Sequence, residues 1–128
     1  MRDTQSAKDI VLAFYDVAVN EKDVERTRLF LGDTYIQHNP HVADGPEAFL
    51  RFVKFRRDNH PDAYNKVELV VAEGDYVVMQ VHSVVPGFPS RKIVEIFRVE
   101  DGRPVEHWDT VQTIPVELFP PINDNGLF

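Results

Sequence analysis

Between Thr4 and about Val19 the apolar residues Ile10, Val11, Phe14, Val17 and Ala18 recur three and four positions apart, which predicts an amphipathic helix. A shorter helix is expected from about Val24 to Leu31, closed by Gly32. The stretch "DGPEAFLRFVKFRRD" predicts a third. Asp44 is its candidate cap, Pro46 falls in its first turn, and Phe49, Leu50, Phe52 and Val53 form its apolar face; it stops at "NHPD". After Tyr64 the period changes to two. "KVELVVAEGDYVVMQVHSVV" predicts two strands joined at Glu-Gly-Asp, and "RKIVEIFRVEDGRPVEHWDTVQTI" two more joined at Asp101-Gly102. Helices first and strands afterwards is an α+β order, with no sign of alternating βαβ units. The strands carry apolar residues on both faces, which suits a curved sheet with helices on one side and a partner on the other.

Residues two apart on a strand share a face, so the same pattern sorts the polar side chains. Ile93, Glu95, Phe97 and Val99 share one face of their strand, an acid set among hydrophobic neighbours. His107, Asp109 and Val111 share a face of the last strand, and Gln80, His82 and Val84 a face of the second. Glu95, His82, His107 and Asp109 are expected to converge inside the curve, as a mostly apolar cavity with a few ionisable groups. A paired acid and base of that kind suits proton abstraction next to a carbonyl. Each histidine also reads as a hydrogen-bonded structural residue, Glu95 as the partner of an arginine, and Trp108 as packing. In "YIQHNP" an extended Tyr35–His38 segment puts Ile36 and His38 on one face, which makes His38 the inward candidate and leaves Gln37 and Asn39 to the turn.

Composition narrows the remaining choices. A chain of 128 residues is the length of one domain, taken as 1–128, and its 43% hydrophobic and 27% charged residues are those of a globular protein. There are no cysteines, so thiol catalysis, thiolate metal sites and disulfides are excluded. A net charge of −7 argues against nucleic acid and anionic membranes as partners, and "KFRR" (Lys54 to Arg57) reads as a solvated helix face. No apolar run reaches the ~18 residues of a membrane span, and the expected location is the cytoplasm. Pro40 prevents a helical presentation of His38 and His41, and no metal site is expected. The closing Leu127-Phe128 is expected to dock on an apolar surface.

The segments "YIQHNPHVADGPEAFLRFV", "EIFRVEDGRPVEHWDTVQ" and "NDNGLF" resemble the SnoaL-like polyketide cyclases of the nuclear transport factor 2-like superfamily, over nearly the whole chain. The resemblance implies a cone-shaped α+β barrel, with helices packed on a strongly curved sheet that encloses a pocket, and a homodimer formed through the outer sheet face. It also implies an aldol-type ring closure without cofactor or metal, in which Asp109 of "HWD" takes the place of the family's acid/base. His38 and His82 are weaker carry-overs as groups that polarise a carbonyl or orient the acid, and Glu95 stands where the family often has an acid. In the reading from the residues themselves, His38, His82 or His107 is the expected stabiliser of the developing oxyanion. Phe14, Tyr15, Phe49, Phe52 and Phe97 are the expected walls around a small hydrophobic carbonyl compound. The superfamily also holds isomerases, dehydratases, epoxide hydrolases and proteins without activity, so a non-catalytic binding protein is the alternative.

Overall fold

The computed structural model describes residues 6–114 and 120–128, so the expected start of the first helix at Thr4 lies outside the described residues. Helix α1 spans Ala7–Tyr15, and the Ser6 side chain caps it by accepting from the Asp9 amide at 3.1 Å. It runs on into a wider π-helical turn, Asp16–Glu21, in which the consecutive residues Val17, Ala18 and Val19 are all buried. The turn ends at Lys22, a non-glycine residue in the left-handed region (φ 58°). Its buried ammonium holds that geometry by donating to the carbonyls of Asn20, Pro61 and Ala63 at 3.0, 3.1 and 2.7 Å. Burial pushes the Lys22 amine below its ordinary pKa. Lys22→Met leaves three carbonyls without their donor and is expected to cost about 2 kcal/mol, read as a fall in the urea midpoint.

Helix α2 is the short Val24–Arg28, capped by Asp23. Helix α3 spans Pro46–Asn59 with Pro46 in its first turn as expected, but the residue before it is Gly45 at φ 94°. Asp44, the expected cap, instead accepts from the Gln37 amide at 2.8 Å and so pins the preceding loop. Phe49, Val53 and Arg56 fall on one stripe of α3, and all three are buried. The Arg56 guanidinium donates to the Val19 carbonyl and to Asn65, so "KFRR" is not wholly a solvated face.

Among the described residues five strands follow the order β1-β5-β4-β3-β2: β1 (Ile36–Gln37), β2 (Tyr64–Glu73), β3 (Tyr76–Val84), β4 (Arg91–Glu100) and β5 (Arg103–Thr113). β1 runs parallel to β5 and all other pairs are antiparallel. The β4–β5 hairpin turns at Asp101-Gly102, where both residues have positive φ (52° and 74°), as a right-twisted two-residue hairpin demands. The sheet stays open, with β1 and β2 as its edges.

Helix α1 lies across β2 to β5 and fills the inner side of the sheet. Val11, Phe14, Val53, Val77, Met79 and Val81 are wholly buried there. Inner residues of β3 are Val77, Met79, Val81 and Ser83, and those of β4 are Ile93, Glu95, Phe97 and Val99. The opposite face exposes Leu69 and Val71 of β2, with Val78, Val94, Ile96 and Trp108 half-buried beside them. The tail returns onto this outer face: the Phe128 ring stacks on His82 at 4.8 Å, with the Lys92 ammonium 5.9 Å from its centre. No helix among the described residues is long and apolar enough to cross a membrane.

Candidate active site

Glu95 of β4 and Asp109 of β5 are register partners, and His107 lies two residues before Asp109 on the same face. One ligand atom from each of the three comes within 4.8 Å of the others. Glu95 and His107 are buried, and Asp109 is half-buried. β1 supplies the rest, because its parallel register sets Gln37 beside His107.

These groups form one line of hydrogen bonds whose direction is set at its ends. Arg56 can only donate, and it donates to Asn65 Oδ1 at 3.0 Å; Asn65 Nδ2 donates to the Tyr15 hydroxyl at 2.8 Å. Tyr15 therefore donates onward to Glu95 Oε2, at 2.6 Å. At the other end the Asn39 amide donates to Gln37 Oε1 at 3.0 Å, which marks that oxygen as an acceptor. His107 Nδ1, 2.6 Å from the same oxygen, must then carry a hydrogen. Between His107 Nε2 and Glu95 Oε1, 2.7 Å apart, one proton completes the line, as imidazolium with carboxylate or as imidazole with carboxylic acid. A divalent cation held by Glu95, His107 and Asp109 would have to displace that proton.

Asp109 is oriented separately. Asn39 Nδ2 donates to Asp109 Oδ2 at 2.8 Å, while Asn39 Oδ1 accepts from the His41 amide. Among the described residues nothing donates to the other oxygen, Asp109 Oδ1. Aromatic rings bound the group on its helix side. Phe97 lies 4.8 Å from the His107 ring, Phe14 touches both Phe97 and Phe49, Phe52 stacks on Phe49, and the Tyr35 ring lies parallel to His107 at 6.4 Å.

The structure thus brings together Glu95, His107, Asp109 and Tyr15 of the expected residues, with Phe14, Phe49, Phe52 and Phe97 around them. It does not bring His38 or His82. Ile36 and His38 take the outer face of β1, where His38 stacks on Trp108 at 4.8 Å and pairs with Glu106 at 2.8 Å. That hydrogen bond, and a second from Arg98, hold the Glu106 carboxyl below its ordinary pKa. Gln37 and Asn39, expected in the turn, are the inward residues. His82 sits opposite Lys92 on the outer face of β3, while Ser83 takes the inner position. Tyr35, Asn65 and Arg56 belong to the site region without having been expected there. Arg56 had a usable signal, its place on the Phe49–Val53 stripe. A separate open cleft of about 590 Å³, between Arg28, Leu50 and Arg103, is lined by none of the expected site residues.

Burial, then the charge of Glu95, raise the Tyr15 hydroxyl well above its ordinary pKa; burial, then Glu95 and Asp109, do the same for Tyr35. Folded-state values above the unfolded one, near 10, mean that the stability these two phenols confer is complete below about pH 10 and is lost as pH rises towards their folded values. Tyrosinate absorbance from Tyr15 and Tyr35 should accordingly appear together with loss of tertiary circular dichroism. Ionisation of either within the intact fold would contradict their burial.

Sequence and structure comparisons give the chain relatives. The profile of the SnoaL-like domain matches residues 11–107. No curated protein matches the chain in sequence. Among solved structures, TsrD from Streptomyces laurentii is 23% identical with a TM-score of 0.69, covering 86% of this chain and 91% of its own. IdmH from Streptomyces antibioticus, a candidate polyketide cyclase, is 22% identical with a TM-score of 0.67, over 84% of this chain and 92% of its own. A candidate ketosteroid isomerase from Kribbella flavida is 21% identical with a TM-score of 0.73, over 94% and 86%. At these identities the likeness is one of fold, the α+β cone with an open sheet.

Proposed function

The chain belongs to the SnoaL-like domain family, and from that premise we propose that it is a cofactor-independent lyase or isomerase acting beside the carbonyl of a small hydrophobic compound. One observation carries this reading: Asp109 is held by Asn39 through one oxygen while its other oxygen has no donor among the described residues, beside a buried acid–imidazole pair. An aspartate so placed is a general base with its accepting lone pairs free. Glu95 and His107 fix the polar floor, and Phe49, Phe52 and Phe97, with Phe14 behind them, supply the apolar side that keeps water from the reacting carbon. Abstraction of the proton gives an enolate. Return of the proton elsewhere is isomerisation, and attack on a second carbonyl of the same molecule is the aldol closure that a polyketide cyclase performs.

A second reading, a non-catalytic holder of the same ligands, is favoured by Glu95, whose two oxygens are both committed inside the protein. Solvent deuterium exchange separates the two. Incubated in heavy water with a panel of alkyl and aryl ketones and 1,3-diketones, a proton-transfer enzyme washes out the α-proton NMR signal of at least one compound catalytically. Saturable binding with no exchange across the panel would select the holder.

We further propose a cytoplasmic homodimer that covers Leu69, Val71 and Ile96 of the outer face. Light scattering at micromolar concentration would refute the dimer by returning a monomer mass.

A further inference from the structure

Tyr35 was not among the residues expected at the site, yet its ring is 2% exposed, packed 5.0 Å from Phe49 and parallel to His107. Its hydroxyl is a buried side-chain atom with no hydrogen-bond partner among the described residues. Leaving a buried hydroxyl unsatisfied costs about 1–3 kcal/mol, and a phenylalanine of the same shape would avoid that cost. Burial first, then the charges of Glu95 and Asp109, raise this phenol's pKa and keep its proton on, and its stacking on His107 sets it against the cluster in which Glu95, His107 and Asp109 bring ligand atoms within 4.8 Å of one another. The neighbouring polar atoms are committed: Glu95 to Tyr15 and His107, His107 Nδ1 to Gln37, and Asp109 Oδ2 to Asn39. What remains among the described residues is one buried donor without a partner, the Tyr35 hydroxyl, beside an acceptor to which nothing donates, Asp109 Oδ1.

We infer that Tyr35 is a catalytic residue whose hydroxyl receives the substrate's carbonyl oxygen while Asp109 takes the proton from the adjacent carbon. This rests on the proton-transfer reading above and names the group that bears the charge it creates. As the C–H bond breaks, its proton passes to Asp109 Oδ1 and its electron pair becomes the C=C bond of an enolate. The carbonyl π pair moves onto oxygen, which accepts from Tyr35. The proton returns to carbon in an isomerisation; in an aldol closure the enolate carbon bonds to the second carbonyl carbon, and that carbonyl's oxygen takes the proton. A buried donor held in place by its packing needs no reorganisation when the charge develops, so it favours the enolate over the neutral ketone.

Ionised 4-nitrophenol, a flat oxyanion, serves as the probe, followed by its visible absorbance in titrations of wild type, Tyr35→Phe and Asp109→Asn. Tyr35→Phe is expected to weaken binding about 10- to 100-fold, the worth of a hydrogen bond to a charged oxygen. Its melting temperature should stay the same or rise, because the hydroxyl it removes has no hydrogen-bond partner among the described residues. Asp109→Asn, which removes a like charge, should bind the phenolate more tightly. Affinity within twofold of wild type for Tyr35→Phe, no saturable binding by wild type at millimolar phenolate, or a clear fall in melting temperature for Tyr35→Phe would each overturn the assignment. Weakened phenolate binding in Tyr35→Phe, together with unchanged deuterium exchange in Asp109→Asn, would uphold the donor and reject the base.

Discussion

Glu95→Ala is expected to lower stability by about 3–5 kcal/mol, while Glu95→Gln should cost less than about 1 kcal/mol. The alanine leaves the Tyr15 hydroxyl and His107 Nε2 without partners inside the fold. Glutamine has the right polarity for the same place. Its oxygen accepts from Tyr15, its amide nitrogen donates to His107 Nε2, and His107 remains neutral with its Nδ1 hydrogen on Gln37. Glutamine thus copies the form of the line in which the single shared proton sits on Glu95. Urea unfolding of both variants measures the difference. Equal losses would mean that the direction of donation deduced from Arg56 and Gln37 is wrong.

Asp109→Asn should slow deuterium exchange of an accepted ketone by about 10² to 10⁴-fold, the range supplied by a positioned general base. The fold should survive, because the asparagine oxygen can still accept from Asn39 Nδ2, so its melting temperature is expected to stay near that of wild type. That pairing matters: a rate loss accompanied by a large drop in melting temperature would report damage to the fold and not loss of the base. Exchange at the wild-type rate in a stable Asp109→Asn protein would remove Asp109 from the mechanism.

The alternation of β4 and β5 placed Glu95, His107 and Asp109 on one face correctly because both strands are regular over those residues. A period of two carries that information without knowledge of anything else in the chain. The same rule misplaced His38, since it says which residues share a face but not which face is inward. Ile36 suggested the wrong answer by being apolar; it is in fact 37% exposed, and the inward direction is set by pairing with β5 and by Asp44 holding the Gln37 amide. His82 failed for a related reason. β3 carries valines on both faces, so hydrophobicity cannot orient it, and a serine took the buried position. Asn65 lies near the start of β2, whose register shifts between Val67 and Leu69, so the period of the strand does not carry back to it, and Tyr35 precedes a strand of only two residues; their roles exist only once α1 and α3 are packed on the sheet.

The brevity of β1 has an evolutionary consequence. With only Ile36 and Gln37 paired to β5, a single-residue insertion or deletion between Gly32 and Tyr35 that keeps the strand paired would exchange its two faces and offer Ile36 or His38 to His107 in place of Gln37. Length changes beyond Asn39, around the exposed His41 and Ala43, leave that register untouched as long as Asp44 still reaches the Gln37 amide. Lineages descending from this chain should accumulate loop-length variation on the far side of Asn39 and almost none on the near side.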